Sequence, residues 1–143
     1  MGDKRLGGRF NLYFCFTGVA MSGELILIVE DNEKNLKLVR DLLQVSGYRT
    51  LESITAEEGI IIAKESQPAL ILMDIQLPGI SGIEALKILR ADPITEKIQV
   101  IAVTASVMTE DSKNIIAAGF NSYQRKPIEI KGFLDEVRRL LEV

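Results

Sequence analysis

The chain has 143 residues, 47% hydrophobic and 26% charged, a composition that predicts one soluble globular domain with its own core. Its net charge of -3 argues against nucleic acid as the main partner, because phosphate backbones are bound by surplus Lys and Arg. The sequence has no His and a single cysteine, Cys15, which excludes imidazole chemistry, an internal disulfide and a cysteine zinc site. A hard cation held by oxygen ligands stays open, and we expect a cytoplasmic protein.

The first 22 residues differ in character from the rest of the chain. Three basic residues precede the apolar stretch Phe10 to Phe16, which is too short to span a bilayer. We therefore expect no membrane contact and interpret residues 1–22 as a disordered or non-native extension, with Met21 as the natural first residue. A targeting peptide is the alternative. The folded domain is predicted at residues 23–143.

From Glu24 onward, strand-like and helix-like segments alternate five times along the chain. Strands are predicted at Leu25 to Val29, Tyr48 to Ser53, Leu70 to Met73, Val100 to Val103, and Asn121 to Arg125, the first, third and fourth of them as apolar runs. Amphipathic segments predict helices from about Glu33 to Ser46, Thr55 to before Pro68, Gly82 to Arg90, Glu110 to Ala118, and Glu129 to Leu141. Strands that are apolar on both faces indicate a parallel sheet covered by helices on both sides.

Several local signals set the ends and faces of these helices. Gly47 is expected to stop the first helix, and Thr55 with Glu58 has the spacing of a capping box at the start of the second. The apolar face of the last helix is predicted to be buried, and its members are Ile130, Phe133, Leu134, Val137 and Leu140.

Polar residues follow the predicted strands in a way that points to a site. Glu30 and Asp31 follow the first strand, Asp74 the third, Thr104 the fourth and Lys126 the fifth. In open parallel sheets, ligands bind outside the carboxyl ends of the strands, so these groups should converge there. Three converging carboxylates repel by roughly 4 kcal/mol per close pair, and they therefore share protons or bind a cation.

Each of these residues also has an ordinary structural explanation. Acids before a helix are favoured by its dipole, Asp74 could cap a turn, and Thr104 could simply end a strand. Together, however, three acids, a hydroxyl and an ammonium meet one chemical need, which is phosphoryl transfer to a carboxylate. In that reaction, Mg²⁺ and a cation receive the phosphoryl oxygens while an aspartate attacks in line.

At these residues the chain resembles the receiver domain of two-component response regulators, from about Glu24 to Leu141. The matching strings are Ile28-Val29-Glu30-Asp31-Asn32, Leu72-Met73-Asp74-Ile75-Gln76-Leu77-Pro78-Gly79-Ile80-Ser81-Gly82, Val103-Thr104-Ala105 and Lys126-Pro127-Ile128. The resemblance implies a flavodoxin-like (βα)5 three-layer sandwich with a parallel five-stranded sheet of order 2-1-3-4-5.

The resemblance also implies roles for the acids. Asp74 would be the phosphoacceptor, and Asp31, Asp74 and the Gln76 carbonyl would hold Mg²⁺. Glu30 would act on the ion mostly through water. We expect a signalling protein rather than an enzyme, one that assists its own phosphorylation and dephosphorylation.

The remaining matched residues would form the switch. Lys126 would contact the phosphoryl group, with a cis bond before Pro127 helping to aim it, since X-Pro is where a cis bond costs little. Thr104 would donate its hydroxyl to the phosphoryl group. Its movement would let Tyr123 turn inward, which couples the site to the surface of helix four, strand five and helix five.

Partners follow from the same resemblance. A histidine kinase or histidine phosphotransfer protein would supply the phosphoryl group near helix one, and a protein target would bind the switch surface, with the chain a monomer or a phosphorylation-dependent dimer. Because the sequence ends at Val143 without an output domain, we expect a stand-alone regulator. The string from Val103 to Asp111 most resembles cell-division regulators and hybrid-kinase receivers.

Alternatives from other classes are a phosphorylation-independent receiver-like binding module and a Mg²⁺ phosphatase of the haloacid dehalogenase type. The intact set of acids argues against the first. The second carries Asp-x-Asp after the first strand, whereas here Asp74 follows the third and Gln76 stands two residues later. Flavin or dinucleotide binding is disfavoured because the acidic first loop lacks glycine and would repel phosphate.

Overall fold

The computed structural model describes residues 23–105 and 109–141, with residues 109–112 as backbone only. The extension predicted at residues 1–22 lies outside the described residues. The strands are β1 (Leu25–Val29), β2 (Arg49–Ser53), β3 (Leu70–Asp74), β4 (Gln99–Thr104) and β5 (Ser122–Arg125). The helices are α1 (Glu33–Val45), α2 (Ala56–Ser66), α3 (Gly82–Ala91), α4 (Thr109–Ala118) and α5 (Ile130–Leu141).

The five strands form one parallel sheet in the order β2-β1-β3-β4-β5, as the resemblance implied. Side chains alternate between the two faces of each strand, and this alternation divides the core in two. On one face, Leu27 and Val29 pack with residues of α2, α3 and α4. On the other face, Ile26 and Ile28 pack with residues of α1 and α5. The predicted three-layer sandwich is therefore confirmed. None of the described helices combines the length and the apolar character that a membrane span requires.

The last helix departs from its predicted burial at two residues. Phe133, Val137 and Leu140 are buried as expected, but Leu134 is only partly buried against the core and Ile130 is 51% exposed. Ile130 is the first residue of α5, whereas Phe133, in the same turn, is fully buried. Periodicity places Ile130 on the apolar face, but the first residue of a helix has helical neighbours on one side only, so periodicity alone does not bury it.

The start of α2 forms only half of the predicted capping box. Thr55 Oγ1 accepts the Glu58 N–H at 3.2 Å, but the Thr55 N–H donates to Ser53 Oγ at 3.3 Å instead of to Glu58. The complete box is at α3. There, Ser81 Oγ accepts the Glu84 N–H at 3.2 Å and Glu84 Oε1 accepts the Ser81 N–H at 3.0 Å. Both contacts fix the position of the loop that precedes α3.

Candidate functional site

Three carboxylates meet at the carboxyl edge of the sheet, as their positions after β1 and within β3 predicted. Val29 of β1 lies opposite Met73 of β3, so the acids that follow them in the chain become neighbours. Glu30, Asp31 and Asp74 each offer an oxygen within 4.8 Å of the other two. Glu30 and Asp74 are both only 4% exposed, whereas Asp31 is open to solvent. The cluster is therefore anchored in the core and reachable from outside.

Lys126 joins the two buried carboxylates. Its Nζ lies 3.0 Å from Asp74 Oδ2 and 3.1 Å from Glu30 Oε1. The Lys126 N–H donates to Thr104 O at 2.8 Å, which holds the Lys126 backbone beside the end of β4, and the Lys126–Pro127 bond is cis, as predicted. Burial by itself would lower the pKa of Lys126, but hydrogen bonds to Asp74 and Glu30, and the attraction of both charges, outweigh burial and raise that pKa above its usual value.

The surroundings of the Glu30 carboxyl disfavour its charged form. Burial raises its pKa above the usual value, and the neighbouring Asp74 charge adds to the rise. The Asn32 N–H, which donates to Glu30 Oε2 at 3.1 Å, and the Lys126 ammonium act in the opposite direction without cancelling it. The raised pKa of Glu30 means that its charge is under-compensated, and a further cation at this edge would relieve that cost.

Asp74 is oriented by the loop that follows it. Its Oδ1 accepts the Gln76 N–H at 3.0 Å, which leaves Oδ2 for Lys126. Gln76 is exposed and lies directly beside the cluster in the chain. The sequence reasoning missed Gly82, where a Cβ would lie 2.5 Å from the Asp74 backbone oxygen. Only glycine allows α3 to begin this close to the acid, and the glycine directly after the Ser81 cap was the available signal.

The two predicted switch residues lie on neighbouring strands. Thr104 ends β4, is 4% exposed and pairs in register with Arg125 of β5. Tyr123 lies opposite Ala102, is half-buried and packs against the core cluster beneath α2, α3 and α4. Because Ala102 and Thr104 are two residues apart in one strand, their side chains share a face with that of Tyr123. The sheet thus places both predicted switch residues towards the same helical layer.

The donor set fits a hard divalent cation. The cluster offers carboxylate oxygens from three residues, one of which is exposed to incoming solvent, and the chain has no His to supply nitrogen ligands. Mg²⁺ prefers oxygen ligands and keeps several of its waters, so it needs few protein ligands and an open side. Glu30, Asp31 and Asp74 meet both requirements.

Comparisons with known proteins agree with this geometry. The sequence profile of the family described as response regulator receiver domain matches residues 26–138. The polar-differentiation response regulators DivK of Brucella ovis and of Brucella suis are each 45% identical to the chain over 116 residues, which is 81% of this chain and 94% of each relative.

Solved structures give the same result. The receiver domain of a sensor histidine kinase from Pseudomonas aeruginosa, solved with a magnesium ion coordinated in its active site cleft, aligns with a TM-score of 0.79 and 30% identity, covering 85% of this chain and 100% of that domain. A CheY-like receiver domain protein from Methanospirillum hungatei aligns with a TM-score of 0.77 and 29% identity, over 85% and 95% of the two chains. The chain therefore belongs to the response regulator receiver domain family, which signals in two-component systems.

Proposed function

We propose that Asp74 accepts the phosphoryl group in this chain. The observation that carries the proposal is the unequal environment of its two carboxylate oxygens. Oδ1 is held by the Gln76 N–H, whereas Oδ2 faces the Lys126 ammonium at 3.0 Å. An Asp74 oxygen would attack in line, so that an O–P bond forms as the N–P bond of a partner's phosphohistidine breaks. The Lys126 ammonium would then receive a phosphoryl oxygen.

The acids around Asp74 are proposed to hold Mg²⁺. Asp31 and Asp74 would bind it directly together with the backbone carbonyl of Gln76, and Glu30 would act mostly through water. When bound, Mg²⁺ neutralises charge on the phosphoryl oxygens. The separation of the three acids, within 4.8 Å of one another, supports this assignment. We assign the same residues to dephosphorylation, in which water would attack the phosphoryl group on Asp74.

The switch is proposed to pass from Thr104 to Tyr123. Phosphorylation adds about 1.5 to 2 negative charges, which would draw the Thr104 hydroxyl towards the phosphoryl oxygens and leave space for Tyr123 to move inward. The shared face of β4 and β5 supports this coupling. The target protein would then read the surface formed by α4, β5 and α5, and a histidine kinase or histidine phosphotransfer protein would donate the phosphoryl group.

Labelling with acetyl phosphate and Mg²⁺ tests the phosphoacceptor. We expect the mass of the intact chain to increase by one phosphoryl group, and we expect the Asp74→Asn variant to show no increase. Asp41→Asn is the matched control, because Asp41 is an exposed acid of α1 paired with Lys37 at 2.7 Å, outside the cluster. Undiminished labelling of Asp74→Asn would place the acceptor elsewhere, and no labelling of the wild type would favour a receiver-like module that acts without phosphorylation.

A further inference from the structure

The loop between β3 and α3, residues 75–81, is hydrogen-bonded at its ends, and its Ile75, Leu77 and Ile80 side chains pack against the core. The Ile75 N–H donates to Val103 O at 3.0 Å, and the Gly82 N–H donates to Ile75 O at 3.0 Å. Gln76, whose carbonyl is assigned to the metal above, lies in this loop and is exposed. Because the Gln76 carbonyl is a backbone atom, its position depends on the position of the loop. Contacts to the middle of the loop therefore matter for the site.

Glu57, in the first turn of α2, reaches the middle of this loop from a different element. Its Oε2 accepts the Ile80 N–H at 3.4 Å. The same carboxylate lies against Gly79, where a Cβ would be 2.7 Å from Oε2 and 3.2 Å from Oε1. Gly79 also has a φ of +82°, in the left-handed region that favours glycine. Two successive loop residues therefore pack on one carboxylate, and the positive φ of Gly79 is what favours glycine there.

We propose that Glu57 is a positioning residue for the metal site. By holding Gly79 and Ile80, it fixes the loop that carries the Gln76 carbonyl and the Gln76 N–H that orients Asp74. Ligand distances at a metal site are tolerated only to within a few tenths of an ångström, so release of the loop would weaken the ion's hold. The inference rests on the proposed function, because it requires the Gln76 carbonyl to be a ligand.

A simpler role for Glu57 would be to stabilise the start of α2 through the helix dipole. Glu58 provides a control for that role, because it lies in the same first turn and carries the same charge. The Glu58 carboxylate contacts Ser53 Oγ at 3.4 Å rather than the loop. Replacing either residue removes one negative charge from the same helix end, but only replacement of Glu57 removes the contact to Ile80.

The test is a calorimetric titration of the full chain and its variants with Mg²⁺. We expect Glu57→Ala to raise the Mg²⁺ dissociation constant by about tenfold, the low end of the effect of outer partners of metal ligands. Glu57→Gln should bind Mg²⁺ like the wild type, because the amide oxygen can still accept the Ile80 N–H. Glu58→Ala should also bind like the wild type. Amide exchange of Ile80 should be faster in Glu57→Ala than in Glu58→Ala.

Three results would overturn the inference alone: unchanged Mg²⁺ affinity in Glu57→Ala, an equal loss in Glu57→Gln, or an equal loss in Glu58→Ala. The second would indicate an effect of charge, and the third an effect on the helix. Failure of the wild type to bind Mg²⁺ would overturn the proposed function first, and the inference with it. The wild-type titration therefore distinguishes the two failures.

Discussion

Among the single residues of the site, Lys126 is the one whose side chain contacts both buried carboxylates. These are Glu30, directly after β1, and Asp74, at the end of β3, and the separation of Lys126 from Glu30 along the chain is 96 residues. Its raised pKa means that it stays charged in the folded state. The stabilisation it supplies is fully present below the pKa of a free lysine and is lost only as the pH rises through the higher folded value.

Replacing Lys126 separates ion binding from switching. Because the ammonium supplies none of the oxygen ligands and repels an incoming cation, we expect Lys126→Ala to bind Mg²⁺ at least as tightly as the wild type. It should fail to respond to a phosphoryl mimic such as beryllofluoride, since the phosphoryl oxygens lose their cationic partner. Amide chemical shifts of Tyr123 would report the response.

Lys131→Ala is the control for that variant, because Lys131 is an exposed α5 lysine paired with Asp135 at 3.0 Å. It should bind Mg²⁺ and respond to beryllofluoride as the wild type does. A full conformational response in Lys126→Ala would contradict the proposed role of Lys126.

Among the elements, α3 is tied to its neighbours at both ends. Its start is set by the Ser81–Glu84 box and by the close approach of Gly82 to Asp74. At its other end, the Arg90 guanidinium donates to the backbone oxygens of Glu96, Ile98 and Gly119, at 2.9, 2.7 and 3.2 Å. Burial lowers the pKa of Arg90. Arg90 thus links α3 to the start of β4 and to the end of α4.

Arg90→Lys tests this link at the level of the element. A lysine keeps the charge but cannot present a planar fork of donors to several carbonyls. We expect the free energy of unfolding to fall by about 2 kcal/mol, since several charge-assisted hydrogen bonds are lost or lengthened. Urea unfolding followed by circular dichroism would measure the change.

Arg138→Lys is the matched control, because Arg138 is exposed on α5 and pairs with Asp135, three residues away, at 3.3 Å. Exposed pairs of this kind contribute little, so its unfolding midpoint should stay close to that of the wild type. Equal midpoints for Arg90→Lys and the wild type would show that the contacts of Arg90 are not needed for stability.

For the whole molecule, the sheet separates the site from the start of the described chain. β1 begins at Leu25, and Glu30 and Asp31 follow Val29 at its other end. The two ends are roughly 15 Å apart along an extended strand. Among the described residues, the core on both faces of the sheet is formed by residues after Glu24. We therefore propose that residues 23–143 form the receiver domain and that the preceding residues are not needed for its site.

Removal of residues 1–20 tests this proposal. The Mg²⁺ affinity of the shortened chain, measured by calorimetric titration, should match that of the full chain, because the ligands assigned here all follow β1. Its unfolding midpoint should match as well. A clear loss of affinity or stability would show that the extension is part of the fold.

Much of the site could be predicted from the sequence because β1, β3 and β4 carry apolar runs that end in, or are followed by, a polar residue. That pattern correctly located Glu30, Asp31 and Asp74 at one edge, and the helix periods correctly assigned most core faces. It failed at Ile130, because periodicity does not show whether the first residue of a helix is covered by the core. It also assigned no role to Gly82, because the sequence shows a glycine after the Ser81 cap but not its close approach to the Asp74 backbone.

By itself, the sequence determined which residues are candidates for the chemistry and which family the chain resembles, because charge, polarity and apolar period are properties of the residues and their spacing. Only the tertiary structure decided the contacts across the sheet edge. The bridge from Lys126 to Glu30 and Asp74, and the support of the loop by Glu57, join residues from separate elements. Such contacts depend on strand order and loop path, which bring distant residues together only once the whole sheet has formed.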